Sequence, residues 1–579
     1  MIIGYALTAA VYASLILMLA AVAADRKGIG KLLRGCIDRR SLIALGVILA
    51  FFLIFAVRFV PHAEQLYFDE NIYQGIALNI LHHGNSLWCQ IGTGYESACY
   101  GSVLYHDPVG WSAFIAIAFA IFGAGTATAY SLELLVGAAS IVMIFLLASV
   151  LTKRRSYAVV ATFAFAMMPQ LFIWSRTQAD FDLPFMMLTV LSFLLLVIYT
   201  RRKSLGSFAA FAFSVDLVAY MRIEASLLLG IFAVLLLTFG EEGIRNTVGE
   251  RTRAIRRALA ENTRALLVLL AFILLILPQL YYISVEAQNP SYGQNQNQSV
   301  ISLGNLGYNM GINIPFLFGS TNMLSLYPAN FHWLITPLAI LGGIVLALDK
   351  RIRNRFGMLL MLALWFAAYF VFYGVFFAGY ATYGVDVRFM LSLLPSICLL
   401  AAFAIIGMGD LARWALTRMD AIKKRGQASG IVFGAVVVAA GAVLLAYPFA
   451  TLVPLVALSP SSMPQQSVIL PAISYFYANS QEVPRNCFVF SFTPEIWWEA
   501  NRSAAEISYL TGGNNNTVNQ IISSYSCKVF DYGYWCVVPP FHSTLCASAV
   551  SRYGLVGLGS NETAVAGSNV SFYRITNYT

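Results

Sequence analysis

The chain alternates long apolar runs with short basic clusters, and this alternation limits what it can fold into. Crossing ~30 Å of hydrocarbon takes roughly 17–25 apolar residues. Runs of that kind are expected near 2–23, 41–60, 126–151, 157–175, 183–200, 205–221, 223–240, 265–284, 332–348, 357–378, 389–409 and 429–453. The composition agrees: 59% of the 579 residues are hydrophobic and 11% charged, against near 25% charged in soluble domains. The expected fold is mainly α, a polytopic transmembrane helical bundle of about 12 spans.

Lysines and arginines set the orientation, because short positive loops stay cytoplasmic. The connections 24–40, 152–156, 201–204, 241–264, 349–356 and 410–428 hold 27 of the 36 basic residues. The net charge of +9 therefore reports topology; a nucleic-acid partner would need basic stripes on a polar surface, and is excluded. Both termini fall outside in this scheme, as expected of a multi-pass plasma-membrane protein. Keeping the parity lays Trp111–Gly123, 13 apolar residues, on the outer surface as an interfacial or re-entrant helix.

The sequons at Asn297, Asn501, Asn515, Asn561, Asn569 and Asn577 all fall on that outer side. So do Cys89, Cys99, Cys487, Cys527, Cys536 and Cys546, even numbers that suit disulfides in an oxidising space. Cys89 and Cys99 share one loop and are expected to pair; the tail's four cysteines leave three connectivities open. Cys36 and Cys398 are read as plain thiols. Residues 459–579 form a small extracytoplasmic domain, α/β or β-rich, with CFVFSF and VSFYRI as strands. Residues 1–40 are an additional span and basic loop, and 41–458 the main transmembrane unit with an external loop at 61–125.

The polar chemistry gathers on the outer face. In Tyr67–Leu81, Ile72, Tyr73, Ile76 and Ile80 recur at helical spacing, with Asn71, Gln74 and Asn79 elsewhere on the wheel and Gly84 as terminator. Asp69 and Glu70 stand at the helix start. Asp69 there either caps the helix or is a carboxylate available as a general base. His106 and Asp107 precede the turn fixed by Pro108. Asp180 and Asp182 flank the end of the fourth span, as interface residues or, by their spacing, as ligands for a divalent metal. Arg222 and Glu224 lie in a tight outer connection, and Asp386 and Arg388 head a later span. Ions so near hydrocarbon are functional candidates, or salt-bridge and snorkelling partners. Guanidinium binds phosphate bidentately, so an anionic lipid headgroup suits Arg222 and Arg388. Glu133 and Asp216 lie inside spans and need partners there.

At these residues the chain resembles the membrane glycosyltransferases that take sugar from a polyprenyl-phosphate carrier. The group has the GT-C fold and includes protein O-mannosyltransferases and the aminoarabinose transferase of lipid A (glycosyltransferase family 39). FDENIYQGIALNIL matches its acidic pair at the head of a juxtamembrane helix. YHDPVGWSAFIAIAFAIFG matches the layout of its second, with Asp107 where the group has a proline. Asp182 or Asp180, Arg222 with Glu224, and Arg388 to Pro395 follow in the group's order, and the likeness covers roughly 41–410. It implies an inverting transfer to a protein, lipid or glycan acceptor, with Asp69, Glu70, Asp182 and Asp180 catalytic. Arg222, Arg388 and His106 would hold the donor phosphate, with Asp107, Glu224 and Asp386 in the pocket. No resident cofactor is expected, a divalent metal staying open. One alternative is whole-glycan transfer to Asn; its WWDYG string is absent, with IWWEA near Trp497 and FDYGYW near Asp531 holding its parts separately. The other is a flippase or transporter, which needs polar residues along several spans to the cytoplasmic face.

Overall fold

The computed structural model describes residues 2–60, 69–93, 99–105, 107–177, 179–238, 263–286, 301–319, 332–348, 355–376, 388–418, 426–457, 466–511, 516–533, 536, 544–558, 563–565 and 568–577. His106, Asp386, and the sequons Asn297, Asn515 and Asn561 lie outside the described residues, as do Tyr67, Phe68 and the greater part of the basic loops 241–264 and 349–356.

Helices dominate. From the N-terminus run α1 (Ile2–Ala24), α2 (Arg26–Arg34), α3 (Arg39–Phe59), α4 (Asp69–His83), α5 (Gly110–Phe122), α6 (Thr126–Thr152), α7 (Arg155–Ala166), α8 (Pro169–Thr177), α9 (Asp182–Arg202), α10 (Leu205–Ala219) and α11 (Ser226–Thr238). Long helices follow at Thr263–Glu286, Arg355–Val375, Leu394–Arg418 and Gly426–Ala457. Seven described helices are long and apolar enough to cross a membrane, and eight if α7 and α8 are one span bent by 57°. Pro169 has no amide hydrogen to continue the ladder, which accounts for that break. The expected spans near 205–221, 223–240 and 332–348 are helices shorter than a full crossing: α10, α11 and Ile335–Leu348.

Local chemistry places the helix ends. Asp38 caps α3, its carboxylate accepting the Ser41 amide while the Ser41 hydroxyl accepts the Asp38 amide. Lys153 and Lys203 close α6 and α9 in the left-handed region, at φ 55° and 54°. A lysine there also complements the negative helix end. On the same side Asp25 accepts from Arg202 at 3.0 Å and Asp38 from Arg155 at 3.1 Å, tying the basic connections together. Inside the bundle, α1 packs on α10, α9 on α6 and α10, and α7 on Leu394–Arg418.

The eight strands among the described residues form one sheet that is not made by the tail alone. β1 (Trp88–Thr93) and β2 (Cys99–Val103) come from the first external loop; β3 (Cys487–Ser491), β4 (Ser503–Glu506), β5 (Cys527–Tyr532), β6 (Leu555–Gly557), β7 (Thr563–Val565) and β8 (Ser568–Ile575) come from the tail. The order is β2-β1-β4-β3-β5-β8-β6, with β7 on β8. β1 pairs antiparallel with β4 through Ile91 opposite Ala505, joining the loop to the tail. β3 is parallel to both β4 and β5. The expected strands in CFVFSF and VSFYRI are β3 and β8. Disulfides join Cys89 to Cys99, Cys487 to Cys527 and Cys536 to Cys546; Cys36 and Cys398 are buried thiols.

Helix α4 differs from the amphipathic expectation. Its whole length from Glu70 to Ile80 is buried, Asn71, Gln74 and Asn79 included. Helix α5, strand β1 and, from the tail, the short helix Pro494–Glu499 all pack against α4, so no face is left in water as it would be in a free loop. A Cβ on Gly75 would come within 2.4 Å of Glu495 Cγ, so the glycine sets that close approach. Asn79 is satisfied internally, donating to the Leu87 carbonyl at 2.8 Å. Gly84, at φ 68°, ends the helix as expected.

Candidate active site

Asp69 and Glu70 fill the first turn of α4, where exposed amides favour negative charge. The Tyr105 phenol donates to Asp69 Oδ1. One turn along α4, the Tyr73 hydroxyl donates to Asp107 Oδ2 at 2.7 Å. Burial, reinforced by Asp107, Asp180 and Asp69, pushes the Tyr73 hydroxyl well above its ordinary pKa, so it stays a donor. Glu70 is buried and accepts from the Tyr130 hydroxyl at 2.5 Å. Glu133, one helical turn after Tyr130, lies in electrostatic reach of Asp180 and Glu70. Its oxygens accept no hydrogen bond among the described residues. Asp180 turns back to accept the Phe181 amide at 2.6 Å, and the Trp111 indole holds this segment through the Ala179 carbonyl at 3.0 Å. Asp69, Glu70, Asp107, Asp180 and Glu133 thus gather around Tyr73 and Tyr130.

The segment continues into a second cluster centred on Arg222. Its guanidinium pairs with Asp182 and, at 2.5 Å, with Glu224 Oε1. Tyr373 donates to the same Glu224 oxygen at 3.0 Å. Phe181, Phe389 and Phe185 surround the cation, with ring centroids 4.8, 5.1 and 5.8 Å from Cζ. The weakly hydrated guanidinium stacks on aromatic faces, which suits it to so dry a site. Phe181 links the clusters, since its ring also meets Tyr73 at 5.4 Å.

Of the residues singled out in the sequence, the structure brings Asp69, Glu70, Asp107 and Asp180 together, and sets Asp182, Glu224 and Arg222 beside them. Arg388 heads the one-turn helix Arg388–Leu391, next to Phe389 of the Arg222 cage. Among the described residues, Asp69 makes no hydrogen bond to the amides of its own helix; Tyr105 is its partner. No described group of three or more His, Cys, Asp or Glu side chains is arranged to hold a metal. Sequence reading missed the phenols of Tyr73, Tyr105 and Tyr130. Tyr73 carried a signal, standing four residues after Asp69 and hence on the same helix face. Asp216, the other acid inside a span, lies against Ser14 of α1.

The tail carries a second buried carboxylate. Asp531 Oδ2 accepts from the Trp497 indole and the Ser491 hydroxyl, each at 2.8 Å. Burial outweighs these donors and pushes Asp531 up to about 6. It lines a surface depression with Tyr475, Phe476, Thr493 and Phe572. IWWEA and FDYGYW, separate in the sequence, therefore meet here.

No family model and no curated protein matches the chain. Solved structures do. ArnT from Cupriavidus metallidurans bound to undecaprenyl phosphate superposes with a TM-score of 0.54 at 12% identity, over 93% of this chain and 98% of that one. The Archaeoglobus fulgidus oligosaccharyltransferase AglB, in complex with an inhibitory peptide and a dolichol-phosphate, gives 0.45 at 12% identity over 92% and 74%. Arabinosyltransferase EmbB from Mycobacterium smegmatis gives 0.39 at 11% identity over 76% and 42%. The resemblance drawn from the sequence thus extends to the backbone: the chain is an integral membrane protein with the GT-C fold of ArnT.

Proposed function

We propose that this protein is a glycosyltransferase that moves a sugar from a polyprenyl-phosphate carrier to an acceptor outside the cytoplasm, with inversion. The observation that carries the proposal is Asp69, a carboxylate at a helix start held by the Tyr105 phenol, on a helix whose Tyr73 meets Phe181 and, through that ring, the buried Arg222. In this reading Asp69 takes the proton of the acceptor as the acceptor attacks the anomeric carbon. The bond from that carbon to the phosphate oxygen breaks on the opposite face, and the polyprenyl phosphate leaves. Arg222, Arg388 and His106 stabilise the charge growing on the phosphate. Glu70 and Asp180 shape the carboxylate side, Asp182 and Glu224 hold Arg222 in place, and Asp107 and Asp386 complete the pocket. The fold shared with ArnT, described bound to undecaprenyl phosphate, supports the donor class. In this reading the site faces outward, as the basic loops suggest, and the apolar runs make about 12 spans in a membrane domain over 41–458.

The experiment is a membrane assay with a panel of polyprenyl-phosphate sugars, wild type against Asp69→Asn. Transfer that needs Asp69 supports the reading, and transfer indifferent to it removes Asp69 from the chemistry. A second reading, whole-glycan transfer to an asparagine, draws on the Trp497 indole donating to Asp531. It requires turnover of an oligosaccharide donor with an Asn-containing peptide and loss of peptide affinity in Asp531→Ala.

A further inference from the structure

The tail reaches Asp69 through two aromatic rings. Glu495, on the short helix Pro494–Glu499, is 1% exposed, and its Oε1 accepts the Trp88 indole N–H at 2.6 Å. Trp88 opens β1 directly before the disulfide cysteine Cys89. Its ring meets Tyr105 edge-on, with centroids 5.6 Å apart. The Tyr105 backbone is pinned independently, its carbonyl accepting the Tyr282 hydroxyl at 2.9 Å. With the backbone fixed, the direction of the phenol depends on what packs its ring, and Trp88 and Tyr73 are on either hand. The phenol then ends on Asp69. A hydrogen bond to a buried carboxylate is short and directional, so Glu495 fixes the indole, the indole fixes the phenol, and the phenol fixes the carboxylate.

We infer that Glu495 and Trp88 are positioning residues for Asp69, through which the tail sets the geometry of the candidate site in the first loop. The inference rests on the catalytic reading of Asp69. Positioning errors of about 1 Å can cost up to about 100-fold in rate, while binding of the donor at a separate cation is untouched.

Trp88→Phe keeps a ring against Tyr105 and deletes the N–H. In the full-length protein kcat should fall about tenfold, with the donor KM within about twofold, using whichever polyprenyl-phosphate sugar the membrane assay turns over. Glu495→Ala should match it, and Glu495→Gln, which keeps an acceptor oxygen, should lose less. In a Tyr105→Phe background, Trp88→Phe should have no further effect, because the path to Asp69 is already cut. Full additivity in that cycle, or a Trp88→Phe enzyme with unchanged kcat beside an inactive Asp69→Asn, overturns the relay alone. An active Asp69→Asn overturns the catalytic reading instead. A substrate-free measurement guards against misfolding: amide exchange over residues 70–76 should quicken in Trp88→Phe while β5 stays protected. Unchanged exchange at 70–76 sinks the relay whatever the turnover shows, and loss of protection in β5 as well assigns Trp88 a general folding role and overturns it too.

Discussion

Tyr105 and Asp69 lie 36 residues apart, on a loop and at a helix start, and the phenol of one donates to the carboxylate of the other. Asn can keep that hydrogen bond but cannot take a proton at neutral pH. Asp69→Asn should therefore fold and insert normally while turnover drops by about two to four orders of magnitude, the usual range for a general base. Donor binding should persist. Glu70→Gln should cost less, since Glu70 is committed to Tyr130. The assay is single-turnover transfer with donor affinity measured separately; near-normal turnover in Asp69→Asn would shift attention to Asp180.

Arg222 is predicted to bind the donor phosphate while held by Asp182 and Glu224. Arg222→Lys retains the charge and loses the planar fork, so donor affinity should weaken by about tenfold. Arg222→Ala leaves two buried acids without their cation and should cost about 3–5 kcal/mol of stability. Thermal unfolding and donor titration separate the two roles: a lowered Tm with unchanged donor affinity in Arg222→Lys makes the cluster purely structural. Arg388→Lys gives the matching test at the head of its helix.

Orientation is tested through the basic connections. Single cysteines placed in 201–204 and 410–428, in a background without Cys36 and Cys398, should resist an impermeant thiol reagent in intact cells and react after permeabilisation. Labelling from outside would invert the assignment of Asp69 to the external face.

The tail should be less stable at neutral than at mildly acidic pH. Burial raises Asp531 to about 6, above the unfolded carboxyl near 3.9. The folded state therefore binds the extra proton, and its contribution is complete below about 4 and lost as pH climbs to about 6. Amide exchange in β5, corrected for intrinsic rates, should show stronger protection at pH 5 than at pH 7. In Asp531→Asn the difference should shrink; a tail equally protected at both values, in wild type, refutes the assignment.

The two tail disulfides should not contribute equally. Cys487 and Cys527 enclose 40 residues and Cys536 and Cys546 enclose 10. In the chain-entropy model these are worth about 4 and about 3 kcal/mol. Paired Cys→Ala variants compared by thermal unfolding should show the larger loss for the first pair.

What could be read in the sequence was what depends on near neighbours along the chain. The apolar runs gave the long helices, Gly84 the end of α4, and the two cysteines of one loop their bridge. Asp69 and Glu70 at a helix start, with Asp107 and Asp180 in nearby connections, were recognisable because acids beside hydrocarbon are rare. What escaped depends on distant pairing. Tyr105 looked like an ordinary loop tyrosine because its partner stands 36 residues earlier. Asn71, Gln74 and Asn79 looked like a wetted face because part of what packs on α4, the helix at Pro494–Glu499, arrives some 400 residues later. The juncture of Trp497 with Asp531 was invisible for the same reason: parallel strands β3 and β5 bring the two segments together.

The pairing of β1 with β4 also imposes an order of events. β1 leaves the ribosome some 400 residues before β4, so the hairpin stands with an unsatisfied edge while the helices between them are inserted. Loop closure over such a separation is slow, and domains otherwise complete themselves as they emerge. A chain stopped before residue 500 would thus hold the first hairpin without the strand that joins it to the rest of the sheet. In this architecture the packing around Trp88 is assembled late, once β4 and the helix Pro494–Glu499 have been translated.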